Sequence, residues 1–188
     1  MGDKQILNVL VLIPAKLDST RLQNKNIQEI HGRPMIEYSI EYAKFSKYNP
    51  TIVVSSESPE VWDIALKNDV LWTARPEHLL KDAEVTDVYI DFCSKIENRV
   101  YDLVVALQPD NPDRTHTLDE CIKYMIDNNY DDLITINPTY KRSGSVRIFK
   151  FDYLKNGMVS KRIGCIQDHA TDIHYESDLE QVKQKIIG

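Results

Sequence analysis

Three cations, Lys16, Arg21 and Lys25, fall within ten positions of one another, in a stretch that also carries Ser19 and Thr20. The stretch follows the nearly unbroken apolar run Leu7–Ile13, which Pro14 closes. A loop of this composition can wrap an anion in backbone N–H groups while hydroxyls donate further and long cationic side chains neutralise the charge. Three cations on one loop suit a triphosphate. The spacing is not that of a Walker loop, and a solvated surface loop would carry the same residue types. Chemistry at a nucleoside triphosphate also calls for a divalent cation, and Mg²⁺ takes one or two carboxylates together with phosphate oxygens. Asp110, just past a second apolar run at Leu103–Leu107, is an acid in a suitable place.

Such residues need a scaffold that brings strand ends side by side. Leu7–Ile13 has the pattern of a central strand covered on both faces. A loop to about Gly32 follows, then a helix from Pro34, where the first turn tolerates proline, carrying Met35, Ile36, Ile40 and Ala43 on one face. The alternation continues with a strand at Thr51–Val54, a helix over Pro59–Lys67 and a short strand at Val70–Trp72. A helix over Val85–Ile96, the strand Leu103–Leu107, a helix over Leu118–Ile126 and a strand at Asp132–Ile136 come next. This order predicts an α/β fold, a mostly parallel sheet with helices on both faces in three layers. Ligands bind beyond the carboxyl ends of such strands, which points to the segments after Ile13 and Leu107. After Pro138 the pattern changes to a short strand at Val146–Phe149, a helical turn at Asp152–Lys155 and a tight turn at Asn156-Gly157 of the kind that joins short strands. The last segment, Ser177–Ile187, reads as an amphipathic helix capped by Ser177 or Glu176.

With 188 residues the chain fits one domain, residues 1–188, with a core large enough to need no staple. A formal net charge of −6 argues against a nucleic-acid surface, so any basic patch must be local. Cys93, Cys121 and Cys165 lack the paired spacing of zinc or redox sites and read as reduced thiols. The apolar run near the N-terminus is too short for a signal peptide or a membrane span, and the expectation is a cytoplasmic protein that binds no membrane.

Several segments together resemble a known family. Ile13-Pro14-Ala15-Lys16, Ser19-Thr20-Arg21-Leu22, Lys25-Asn26-Ile27 and Gly32–Ala43 are similar to the opening of the acylneuraminate cytidylyltransferases and the related 3-deoxy-manno-octulosonate cytidylyltransferases. Gln108, Pro109, Pro112 and Arg114 match the former, and Gln108, Asp110 and Pro112 the latter. The resemblance implies a Rossmann-like nucleotide-diphospho-sugar transferase fold and transfer of CMP from CTP to a 2-keto-3-deoxy sugar acid, with release of pyrophosphate. It implies that Lys16, Arg21 and Lys25 hold the CTP phosphates and that Ala15, Ser19 and Asn26 line the nucleotide pocket. By the same likeness Gln108 and Arg114 meet the sugar, and Arg75 and Asp82, with Thr86-Asp87, border the base and sugar pockets. Asp110 and the segment Asp172-Ile173-His174 would hold the metal, Mg²⁺ in the family.

Three departures stand out. Lys16 replaces a usual Arg and loses its bidentate fork. His174 replaces the second acid of the family's Asp-Ile-Asp, and an imidazole beside hard oxygen ligands weakens Mg²⁺, shifts preference toward a softer ion such as Mn²⁺, or ends turnover. Between Tyr140 and Ser143, where the sialate enzymes carry a dimerisation arm, only Lys141 and Arg142 remain. The expected oligomer is therefore a monomer or a homodimer of another kind. Lys141, Arg142 and Arg147 are candidates for a sugar carboxylate, although exposed cations without that role would look the same. Asp178 and Glu180 read as acids at a helix start. A transferase for another sugar or nucleotide, and a homologue that binds nucleotide without turnover, are the alternative readings.

Overall fold

A computed structural model describes residues 7–19, 21–80, 83–98 and 100–186. Thr20 and Asp82, named above, lie outside the described residues. In chain order the elements are β1 (Val9–Pro14), β2 (Glu29–Ile30), β3 (Arg33–Pro34), α1 (Met35–Lys44), β4 (Thr51–Ser56), α2 (Pro59–Lys67), β5 (Leu71–Ala74) and α3 (Val85–Ser94). They continue with β6 (Leu103–Ala106), α4 (Leu118–Asp127), β7 (Asp132–Ile136), β8 (Arg142–Lys150), α5 (Phe151–Lys155), β9 (Ile163–Gln167) and α6 (Glu176–Lys185).

The described residues form a seven-stranded sheet ordered β5-β4-β1-β6-β8-β7-β9. β1 lies at its centre with all residues buried, and pairs in parallel with β4 and β6. Side chains alternate faces along a strand. Val9, Val11 and Ile13 therefore enter one core with Ile36, Ile40, Val61, Ile122 and Met125, from α1, α2 and α4. Leu10 and Leu12 enter a second core with Tyr89, Cys93, Phe151 and Leu154, from α3 and α5. The result is helix, sheet and helix in three layers, a Rossmann-like arrangement. Within this sheet of the described residues only β8 runs antiparallel to its neighbours, β6 and β7.

The structure corrects the expected elements in several places. The supposed loop to Gly32 contains a turn of 3₁₀ helix at Lys25–Ile27 and the strand β2, which pairs in a ribbon with β3 just past it. His31 and Gly32 both have positive φ, 51° and 76°, as the tight turn of such a ribbon requires. Pro34 caps α1 rather than opening it. β8 is longer than Val146–Phe149, and its register against β7 shifts between Ile134 and Thr135. Thr135 Oγ1 stabilises that bulge, accepting from the Val146 N–H at 3.1 Å. Asn156-Gly157 ends α5 rather than joining strands, and β9 was not foreseen. α6 starts at Glu176, where Asp178 Oδ2 accepts the backbone N–H groups of His174 and Tyr175, so neither Ser177 nor Glu176 is its cap. No helix among the described residues is long and apolar enough to cross a membrane.

Candidate active site

Two cavities open beyond the carboxyl ends of β1 and β6. The first, about 350 Å³, is lined by Lys16, Ser19, Arg21, Lys25 and Asn26 on one side and by Arg75, Gln108 and Asp110 on others. Its loop is held in shape by its own polar groups. The buried Asn26 amide donates to the Lys16 carbonyl at 2.7 Å, and Glu57, just past β4, accepts the Leu17 N–H at 2.8 Å. Ala15 is not in the lining. Its methyl is fully buried in the main core, while its backbone bonds to Ser55 and Ser56. Arg75 donates to the Ser55 carbonyl, and its Nε is buried with no hydrogen-bond partner among the described residues. Burial lowers the Arg75 pKa, and the nearby Glu57 charge opposes that shift.

The second cavity, about 170 Å³, is lined by Thr86, Tyr89, Gln108, Arg142, Arg147 and Asp172, among others. Gln108 lines both cavities, as Val85 does, and so stands between them. Its backbone N–H bonds to the Gly144 carbonyl at 3.3 Å. A Cβ on Gly144 would lie 2.5 Å from the Gln108 side-chain amide, so glycine there leaves the Gln108 side chain its present place. Arg147 is committed to Asp132, with contacts of 3.3 and 2.8 Å. Arg142 is exposed and faces the same space.

The acids meet where the cavities adjoin. Ligand atoms of Asp110, Asp172 and His174 lie within 4.8 Å of one another. A small core explains how residues so distant in sequence converge. Ile173, between the two polar residues, is fully buried with Leu22, Ile30, Met35, Leu179 and Val182, which binds the cation loop to α6. The Ile173 N–H donates to the Asp110 carbonyl at 3.0 Å, Asn111 Nδ2 to the Thr171 carbonyl at 3.1 Å, and the Thr171 hydroxyl to Asp113 at 2.8 Å. Lys25 Nζ completes the junction, 2.5 Å from Asp110 Oδ2.

This donor set fits a divalent cation. Asp110 Oδ1 and His174 Nδ1 are buried without a hydrogen-bond partner among the described residues. His174 Nε2 lies 3.0 Å from Asp172 Oδ2, so a neutral ring that donates there keeps its lone pair on Nδ1. Burial, and then the Asp110 charge, raise the Asp172 pKa. Carboxylates that repel one another in this way are drawn to a cation.

Other residues named from the sequence lie elsewhere. Arg114 serves the scaffold rather than either cavity. Its guanidinium donates to the Ser145 carbonyl at 2.7 Å, the Gln108 carbonyl at 2.6 Å and Ser39 Oγ at 3.1 Å, and lies over the Tyr42 ring. Lys141 is exposed outside both linings, at the end of a turn closed by Asn137. Asp178 caps α6, and Glu180 pairs with Lys183 at 2.7 Å. Two supporting acids escaped the sequence reading. Glu57 clips the loop, and Asp168, 2% exposed, accepts from the Thr115 N–H and hydroxyl, the Ala170 N–H and the Ser145 hydroxyl. Neither has a strong local signal, because Leu17, Thr115 and Ser145 are far along the chain from the acids that hold them.

Comparison with known proteins decides the family. The sequence model of the family described as Cytidylyltransferase matches residues 10–181. This chain belongs to the cytidylyltransferase family. That match covers most of the chain. A CMP-N,N'-diacetyllegionaminic acid synthase of Legionella pneumophila is 34% identical over 113 residues, 57% of this chain and 48% of that protein. An N-acylneuraminate cytidylyltransferase of Escherichia coli is 27% identical over 158 residues, 78% of this chain and 38% of that protein. A 3-deoxy-manno-octulosonate cytidylyltransferase of Francisella tularensis is 35% identical over 107 residues, 56% of this chain and 40% of that protein. The matches thus span less than half the length of these curated relatives. Among solved structures, a CMP:2-keto-3-deoxy-manno-octonic acid synthetase complexed with CTP superposes with a TM-score of 0.75 at 16% identity, covering 95% of this cytidylyltransferase and 98% of that chain. A cytidylyltransferase of Leptospira borgpetersenii gives 0.72 at 20% identity, covering 97% and 89%. At these identities the likeness concerns the fold.

Proposed function

We propose that this cytidylyltransferase transfers CMP from CTP to a 2-keto-3-deoxy sugar acid and releases pyrophosphate. The observation that carries the reading is the pair of polar cavities that meet at Gln108, one bordered by cations, with Asp110 and Asp172 at their junction. The triphosphate lies in the larger cavity against Lys16, Arg21, Lys25 and the Ser19 hydroxyl, which neutralise and orient it. The sugar acid enters the smaller one, with its carboxylate on Arg142 and its ring against Gln108 and Tyr89. Its anomeric hydroxyl then attacks the α-phosphate, and pyrophosphate leaves. Such catalysis comes from positioning and from charge neutralisation set up in advance. Asp110, Asp172 and His174 would hold a divalent cation, Mg²⁺ or Mn²⁺, which would supply charge stabilisation to the triphosphate. The relatives act on different sugar acids by their names, which supports the class of acceptor rather than one member of it.

The test is pyrophosphate release measured with each of the four common nucleoside triphosphates and a panel of keto-deoxy sugar acids. Release that requires CTP and one acid is expected. Release with a different nucleotide would reassign the nucleotide cavity. Binding of CTP without release would favour a homologue that has lost turnover, a reading that His174 in place of an acid motivates.

A further inference from the structure

Lys25 is placed unlike the other cations of its loop. Its ammonium contacts Asp110 Oδ2 at 2.5 Å and the Ile173 carbonyl at 3.0 Å, and the Lys25 and Asp110 side chains are only 13% and 10% exposed. Lys16 lies 3.9 Å from Asp18 on its own loop, and Arg21 is exposed. A carboxylate and a peptide carbonyl are the oxygen ligands that hard cations take. An ammonium between them neutralises Asp110 as a metal ion would. Asp110 is also the acid that lies with Asp172 and His174 in the metal-sized cluster, and its other oxygen is unpartnered.

We propose that in the free protein the Lys25 ammonium holds the place on Asp110 that a divalent cation takes in the loaded protein, and that triphosphate draws Lys25 away and so opens the acids to the cation. The inference rests on the assignment of nucleotide to the cation-bordered cavity. Two positive groups crowded on one carboxylate repel each other strongly at this burial, so cation and ammonium compete. The backbone need not move. Asn26 pins it to Lys16, while the four-carbon stem of Lys25 can carry its charge from Asp110 into the cavity that both line. Binding of nucleotide and cation is thereby coupled through one side chain.

The experiment is a titration of Mn²⁺ alone, followed by the electron-spin signal of the free ion, into the parent, Lys25→Met, Lys25→Gln and Lys16→Met. Without Lys25 the acid is left uncompensated, so the dissociation constant for Mn²⁺ should fall about tenfold or more in either Lys25 variant. Lys16→Met, which removes a charge from the same loop without touching the acids, should change it less than about threefold. Unchanged or weaker binding in a folded Lys25 variant overturns the proposal, and so does an equal gain in Lys16→Met, which would show a general charge effect. If neither Lys25 variant folds, amine acylation of the parent decides, read at Lys25 by mass spectrometry. Saturating Mn²⁺ should speed that labelling about threefold or more as the ion pair opens, and unchanged or slower labelling overturns the proposal. CTP binding without metal is measured in parallel. If the parent fails to bind CTP, the assigned function falls, while competition at Asp110 is judged on the Mn²⁺ data alone.

Discussion

At the scale of single residues the site depends on side chains whose positions are set by neighbours that make no substrate contact. Gln108 is the clearest case, because it divides the cavities and is bounded by Gly144. Gly144→Ala places a methyl 2.5 Å from the mobile end of Gln108, which can swing aside at little cost to the fold. The expected outcome is a loss of stability under about 1 kcal/mol, with turnover down about tenfold or more because the wall is misplaced. Urea unfolding and steady-state kinetics separate the two, and normal turnover would remove Gln108 from the mechanism. His174 invites the opposite kind of change. An imidazole nitrogen suits Mn²⁺ better than Mg²⁺, so His174→Asp should tighten Mg²⁺ and narrow the preference for Mn²⁺. Calorimetric titration of both ions checks this, and an unaltered ratio would place His174 outside the metal's ligands. Arg114 shows what residue types conceal. Its charge and its motif suggested substrate, but which way a guanidinium turns depends on Ser39, Ser145 and the Gln108 carbonyl, which only the fold assembles.

At the scale of elements, legibility in the sequence followed local periodicity. β1 and β6 were readable because strands buried on both faces are continuous apolar runs, and α4 because its apolar residues recur at helical spacing. β9 was not, since Ile163 and Cys165 are exposed at the sheet edge, leaving Gly164, close against Tyr130, and the half-buried Ile166 to pack inward. What holds β9 to β7 is largely polar. Asp131 accepts from Lys150 Nζ at 2.8 Å and from the N–H groups of Lys161 and Arg162 at 3.2 and 3.1 Å. The Lys150 bond, aided by those N–H groups, holds the Asp131 carboxyl well below the usual carboxylate range. A folded-state pKa below the unfolded one means that the carboxylate's contribution is fully present above about pH 4 and is lost as pH falls further. Asp131→Asn should therefore destabilise the protein near neutrality, with a gap to the parent that narrows steadily below about pH 4. Urea midpoints across that range test it. A gap that stays constant with pH would mean that the hydrogen bonds matter and the charge does not.

At the scale of the whole molecule, a chain with a net charge of −6 concentrates cations on one rim of its sheet. Such a local field would draw the proposed triphosphate toward the mouth of the site even though the protein as a whole repels it. The same rim bears on assembly. Where the resemblance would place a dimerisation arm, the sequence leaves only Lys141 and Arg142, and β7 and β8 are joined by a tight turn. The Asn137 N–H bonds to the Lys141 carbonyl at 2.8 Å, Asn137 Oδ1 accepts from Thr139 and Lys141, and Tyr140 sits at a positive φ of 62°. A segment closed on itself so locally has no length with which to reach a second copy. The cavity assigned to the sugar acid is lined by residues from α3, β6, β8 and the Asp172 segment of one chain, Gln108 and Arg142 included. Turnover per chain, and the KM for the sugar acid, should therefore be independent of protein concentration. Sedimentation of this 21.8 kDa chain should show no association that changes either constant. Kinetics measured from nanomolar to micromolar protein alongside sedimentation make the comparison. A KM that falls as copies associate would mean that a partner lends residues to the pocket, and the single-chain site would have to be abandoned.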